Sequence, residues 1–417
     1  PLGVPYRVQN VRGEINIVPG TVTIRQLTAE HAIDDPDVQP AREPVKIALS
    51  GTGDLTGEEP AGLWTLAANV VGAPVDDELR AAMPDAIAEM LTSLEVDGEL
   101  SASFDVLRIR TRDGTSGGEA LPPDVDFEGA VTTRGASMNV GVQLEEVVGG
   151  VNLDGSYKDG QLHKLAGDLG AETFLISGRP GEKFTGEMLL APGGDVLSID
   201  KLRGNVAGGS IDGGVKINFE EDEPGVEPTQ VYTVGISMRE ASVKKLLGDS
   251  DDVGGQLTAR LDLTGEFGDP ASRRGRGTVL VDGDKLYELP LVLGLLQVTN
   301  LALPIAEPFT EATSAFAIDG SRVVFDSIEL KAGRGEGNPA MRMQGDGWLD
   351  FESEKLNLTF TTSNHGWASI PLVGDLVGMA RNELLRLNVR GTLEKPEVSG
   401  STLPTVTGTI DEVLRGD

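Results

Sequence analysis

"LTARLDLTGEF" (Leu257–Phe267) places Leu257, Ala259, Leu261, Leu263 and Phe267 on one face of an extended chain, and Thr258, Arg260, Asp262, Thr264 and Glu266 on the other. A strand with one oily and one wet face belongs to an antiparallel sheet solvated on one side. The same reading recurs. "LLRLNVRGTLE" sets Leu385, Leu387, Val389 and Leu393 against Arg386, Asn388, Arg390 and Glu394. "MNVGVQLE" sets Met138, Val140, Val142 and Leu144 against Asn139, Gln143 and Glu145. "LSASFDV", "VKIALSG", "VKINF" (with Val215 and Ile217) and "LNLTF" (with Leu358 and Phe360) follow the same alternation.

"VPG", "KDG", "IDGG", "VDGD" and "IDG" punctuate these runs, and such residues supply the positive-φ positions of hairpin turns. A loose unit repeats, a strand, a glycine-bearing turn and a second strand ending in Leu, as in "GEINIVPGTVTIRQL", "GGVNLDGSYKDGQLHKL" and "SAFAIDGSRVVFDSIEL". The 55 glycines among 417 residues are about twice the usual share of ~7%. Together with 4% aromatics they suit many short strands, tight turns and an aliphatic core.

Lys and Arg total 35 against 66 Asp and Glu, a formal charge of −31. Nucleic acid is therefore not an expected partner, because its recognition needs a basic surface. No cysteine is present, which excludes disulfides and thiolate metal sites. The chain starts at Pro1, and neither a signal peptide nor an apolar anchor precedes Val11.

Few helices are expected. Asp76–Leu94 carries apolar residues at helical spacing, with Pro84 set to kink or divide it. "REASVKKLLG" reads as a short helix. Pro290–Leu301 and Pro371–Leu384 each open on a proline suited to a first turn. The first belongs to the apolar run Leu289–Ala306, which prolines and polar residues interrupt too often for a spanning helix. The acidic, proline-rich stretches 34–44 and 220–230 read as linkers. The expected organisation is a hairpin-repeat segment over 1–219, an acidic linker with a short helix over 220–252, and a β region over 253–417.

No cofactor, metal site or catalytic set is expected. His31, His163 and His365 are far apart and read as exposed turn histidines. No G-x-S-x-G nucleophile turn is present. "GTGDLTG" (from Gly51) and "GRGT" (Gly275–Thr278) lack the Lys-Ser/Thr ending of a phosphate loop and read as turn glycines. Asp76–Asp77 and Asp251–Asp252 read as solvated caps, since no calcium-loop spacing surrounds them. "NLT" at Asn357 matches a glycosylation sequon but falls within a strand.

The oily faces must be covered by a second sheet, by closure into a barrel, or by lengthwise folding into a trough that leaves an apolar lining. Periodicity does not choose among the three. From about Val253 to Ser399 the order of features resembles the C-terminal region of the AsmA-like family, with its TamB and YhdP branches. "GGQLTARLDLTGEFGDP" comes first, then "RRGRGTVLVDGDKLYELPLVLGLLQVTNLALP", a strand, a D-G turn and an apolar segment after "LP". The stretch from "FTEATSAFAIDG" to "LNLTF" follows, then "IPLVGDLVG" and the closing "LNVRGTLEKPEVS".

The resemblance implies an all-β fold: an elongated, highly curved antiparallel sheet folded lengthwise into a hydrophobic groove, with a few short helices. It implies a non-enzymatic, bridge-like lipid-transfer protein of the periplasm, membrane-anchored in its full-length form, carrying phospholipid acyl chains between inner and outer membranes. Other envelope proteins are further partners it allows, and a cell-envelope scaffold with a packed β-sandwich interior is the alternative. Lining positions would be Met138, Val140, Val142, Leu144, Val215, Ile217, Leu257, Leu261, Leu263, Leu358, Phe360, Leu385, Leu387 and Val389. Leu291, Val292, Leu295 and Leu296, with Leu372, Val373, Leu376 and Val377, would lie on apolar helices that cap the sheet or meet lipid. About 25–30 strands, spaced ~4.8 Å apart, would span roughly 120–140 Å.

Overall fold

A computed structural model describes residues 6–32, 43–56, 62–111, 115–116, 119–139, 143–218, 231–246, 254–283, 286, 309–332, 341–363, 384–392 and 395–403. Twenty strands belong to one antiparallel sheet that is not closed into a barrel, and a two-stranded ribbon stands apart from it. The chain divides into two compact units, residues 1–206 with 212–232 and residues 207–211 with 233–417.

The first unit runs β1 (Gln9–Val18), β2 (Thr21–His31), β3 (Val45–Asp54), β4 (Leu63–Pro74), α1 (Asp77–Ala82), α2 (Asp85–Ser93), β5 (Glu99–Arg110), the ribbon β6 (Thr115–Ser116) and β7 (Glu119–Ala120), then β8 (Asp124–Asn139), β9 (Gln143–Lys158), β10 (Gln161–Ile176), β11 (Arg179–Leu190) and β12 (Val196–Val206). Each main-sheet strand pairs with its neighbour along the chain, with β5 passing over the ribbon to β8. β13 (Gly209–Asn218) and β14 (Val231–Ser242) contribute residues to both units.

The second unit continues with α3 (Val243–Leu246), β15 (Gln256–Glu266), β16 (Asp269–Asp282), β17 (Phe309–Asp319), β18 (Arg322–Ala332), β19 (Met341–Asp350), β20 (Lys355–Ser363), β21 (Leu384–Thr392) and β22 (Pro396–Leu403). From β15 to β22 it is again a strict meander.

Several sequence expectations are corrected. Strands number twenty in the described sheet, and several are long: β8, β9 and β10 each run 16 residues. "IDGG" is not a turn but lies within β13. The helix of "REASVKKLLG" starts only at Val243, since Arg239–Ser242 completes β14. As expected, two short helices flank Pro84, with Asp76 capping the first by accepting the Leu79 N–H at 2.8 Å.

Many glycines also sit where no turn exists. Gly51 and Gly53 lie inside β3, and Gly275 and Gly277 inside β16. They stand on the oily face across from large side chains: Gly53 pairs with Trp64, Gly277 with Phe316, and Gly345 with Phe360. A Cβ at any of the three would overlap the facing ring. The missing side chain is thus a space for the neighbour's ring.

Bulges interrupt the ladders at many points, for instance between Ile24 and Leu27, Phe104 and Val106, and Phe325 and Ile328. Each bulge bends its strand and adds local twist, which open sheets use to curve.

Candidate functional site

The registers assemble the alternating positions into continuous rows across the strands. In the first unit one row runs Ile15, Ile24, Gly51, Leu66, Leu107, Phe127, Gly155, Leu165, Leu190, Leu197, one residue from each of ten strands. In the second a row runs Leu261, Gly277, Phe316, Phe325, Gly347, Leu358, Val389, Val398. A flanking row starts at Leu263, Gly275, Ile318 and Val323. The opposite face carries Thr258, Arg260 and Asp262 on β15 and Arg274, Arg276 and Thr278 on β16.

Burial along these rows is uneven. Leu257, Leu261, Leu263, Val279, Val281, Phe316 and Phe325 are only half-buried, as are Leu107, Phe127, Val131, Val151 and Leu153 in the first unit. At β1 the face opens further, with Ile15 50% and Ile17 73% exposed. Among the described residues the strands form this one sheet and the two-stranded ribbon.

One patch of this face, across β17–β21, is dry instead. Leu286, Phe309, Leu330, Met343, Leu356, Leu358, Phe360, Leu387 and Val389 form one cluster, each at most 5% exposed. The sheet is therefore an open apolar lining over β15–β16 and a closed core toward β20–β21. A smaller closed spot lies in the first unit, where Val75, Leu91 and Val96 gather Leu79, Met83 and Ile87 of the helices onto Leu100 and Met138 of the sheet.

The expected lining residues divide accordingly. Leu257, Leu261 and Leu263 stand in the half-open lining. Leu144 and Val215 are half-buried, Ile217 packs against Leu165, Leu190 and Leu197, and Met138 sits beneath α1 and α2. Leu358, Phe360, Leu387 and Val389 belong to the dry core, which leaves no free surface for a ligand. Leu385 lies in β21 opposite Thr362. Val140, Val142, Leu291, Val292, Leu295, Leu296, Leu372, Val373, Leu376 and Val377 lie outside the described residues, as do both expected apolar helices apart from Leu384, which opens β21.

The flanks of those apolar segments are described. Asp282, Phe309, Ser363 and Leu384 all fall on one long rim of the second unit, because the registers align these strand ends. On the other rim the strands join by short turns, such as Asp319–Arg322 and Asp350–Lys355. Sequence reading passed over Phe316 and Phe325, and in β8 and β9 Phe127, Val131, Val151 and Leu153, although the alternation in "SAFAID" already carried the signal for Phe316.

Polar chemistry is sparse. Among the described residues no cluster of three His, Asp or Glu side chains suits a metal ion, and no helix is long and apolar enough to cross a membrane. His31 is buried, not an exposed turn residue, and His163 lies inside β10. The His31 Nδ1–H donates to the Arg7 carbonyl at 2.7 Å, and Nε2 stands 3.3 Å from a Glu78 carboxylate oxygen of α1. Tyr6 stacks on the imidazole at 4.1 Å. Burial pushes its phenol up to about 12, with Asp76 and Glu78 adding to the rise. These contacts tie the segment before β1 to α1 and serve as a fastening. No family model, curated protein or solved structure matches this chain.

Proposed function

We propose that the chain is an AsmA-like protein that carries phospholipid acyl chains along its apolar lining, between the inner and outer membranes of a two-membrane bacterium. The observation supporting this reading is the band of half-buried Leu, Val and Phe side chains, with glycines between them, across β15–β18. Bare apolar surface of this extent favours an apolar ligand. Each methylene withdrawn from water contributes about 0.8 kcal/mol. A lining of similar aliphatic groups offers nearly the same energy at each strand, so a bound tail moves along it without a deep trap. Headgroups stay in water. The work is non-enzymatic and takes place in the periplasm, and a lipid gradient or another envelope protein supplies the drive.

A scaffold with a filled interior is the second reading, favoured by the dry cluster at β17–β21. Photo-crosslinking separates the two. A benzophenone side chain at Leu261 or Val131 is expected to capture phospholipid in cells, while one at Thr258, on the wet face, captures none. Equal labelling at all three positions, or none at any, would support the scaffold instead.

A further inference from the structure

Among the described residues β1 bonds to β2 alone. Its other edge presents backbone N–H and C=O groups that no described residue takes up. All of Gln9–Val18 is exposed, including the apolar Val11, Ile15, Ile17 and Val18. Sheets usually guard such an edge with proline, with charge or with a very short strand. β22, which pairs with β21 alone, follows that rule: it opens on Pro396 and carries Glu397 and Ser399. β1 has neither proline nor lysine.

The sequence of β1 complements itself. Its bulge lies at Asn10–Val11, where Asn10 takes a left-handed φ of 52°. The second irregularity of the pair puts its extra residue, Arg25, on β2, so Arg12–Val18 is a regular run. A second copy, related by a twofold axis through Ile15, would pair this whole run with itself, antiparallel. On the oily face Ile15 then meets Ile15 of the second copy, and Ile17 meets Gly13. The latter repeats the pairing of glycine with a large side chain found at Gly53, Gly277 and Gly345. On the wet face Glu14 meets Asn16 and Arg12 meets Val18, so no like charges oppose one another. An axis through Glu14 would set two carboxylates face to face, and one through Gly13 would run the pairing into the bulge.

Charge favours the same partner. At a formal −31 two copies repel at long range, but residues 6–31 hold three arginines against two glutamates, so this edge adds nothing to the repulsion.

We infer that β1 is an interface between two copies of this chain, joined edge to edge in the register centred on Ile15. The axis stands normal to the sheet and keeps both oily faces on one side, so the lining continues from copy to copy. The inference stands whether or not that lining carries lipid.

Light scattering of the full chain, at up to about 100 μM, reads the oligomeric state. The parent is expected to dimerise. Ile15→Lys/Ile17→Lys, at two exposed positions, should weaken the dimer about tenfold or more with an unchanged circular dichroism spectrum. The chain has no cysteine, so disulfide formation reads the register cleanly. Ile15→Cys should link two copies under mild oxidation, since directly opposed Cα atoms lie about 4.5–5.5 Å apart. Glu14→Cys should not, because its two copies stand diagonally across the pair, beyond disulfide reach. A parent chain that stays monomeric, a dimer indifferent to the two lysines, or equal cross-linking at both cysteine positions would overturn the inference. Lipid capture at Leu261 tests the transport reading separately.

Discussion

Gly277 faces Phe316 across β16 and β17, and the phenyl ring occupies the volume that a Cβ would need. The same pairing at Gly53 with Trp64 and Gly345 with Phe360 turns glycine from a turn residue into a packing residue. Gly277→Ala should therefore cost about 1–3 kcal/mol, the usual range for overfilling a packed site. Gly170→Ala is the control. A Cβ there meets nothing nearer than 3.8 Å, so its stability should stay within about 0.5 kcal/mol of the parent. Thermal or urea unfolding checks both. Sequence alone showed an excess of glycine but not its cause, because the partner ring lies on another strand and only the register brings the two together.

At the scale of the element, the alternating strands were legible since period-two patterning leaves one face apolar whatever the tertiary context. Division at Pro84 was legible too, because proline removes a backbone donor. What alternation could not reveal is which stretch of the oily face is dry. "LTARLDLTGEF" and "LLRLNVRGTLE" carry the same pattern, yet Leu261 is half-buried in the lining and Leu387 is fully buried in the core. The difference arises from the side chains that close around Leu387, namely Leu286 and those of β17–β20, most of them far from it in sequence. Aspartate substitution exposes it. Leu387→Asp places an unpaired charge in a dry core and should cost about 3–5 kcal/mol, read as loss of cooperative unfolding at ordinary temperature. Leu261→Asp keeps its carboxylate in reach of water and should leave the fold intact while lowering retained lipid about tenfold. Equal destabilisation by the two substitutions would show that β15 is core as well.

For the molecule as a whole, a meander in which strands bond their chain neighbours needs no long-range pairing to extend, and repeated hairpins were visible in sequence for that reason. On the proposed reading, the feature that gives such a sheet its function is the half-buried apolar side of β15 and β16. Wet, that side is costly; occupied by acyl chains, it is satisfied. Native mass spectrometry of gently purified protein, with lipid extraction of the same sample, addresses this directly. The account predicts co-purified phospholipid that exchanges with added vesicles. Protein that emerges free of lipid, takes none up from vesicles and keeps its fold would contradict it.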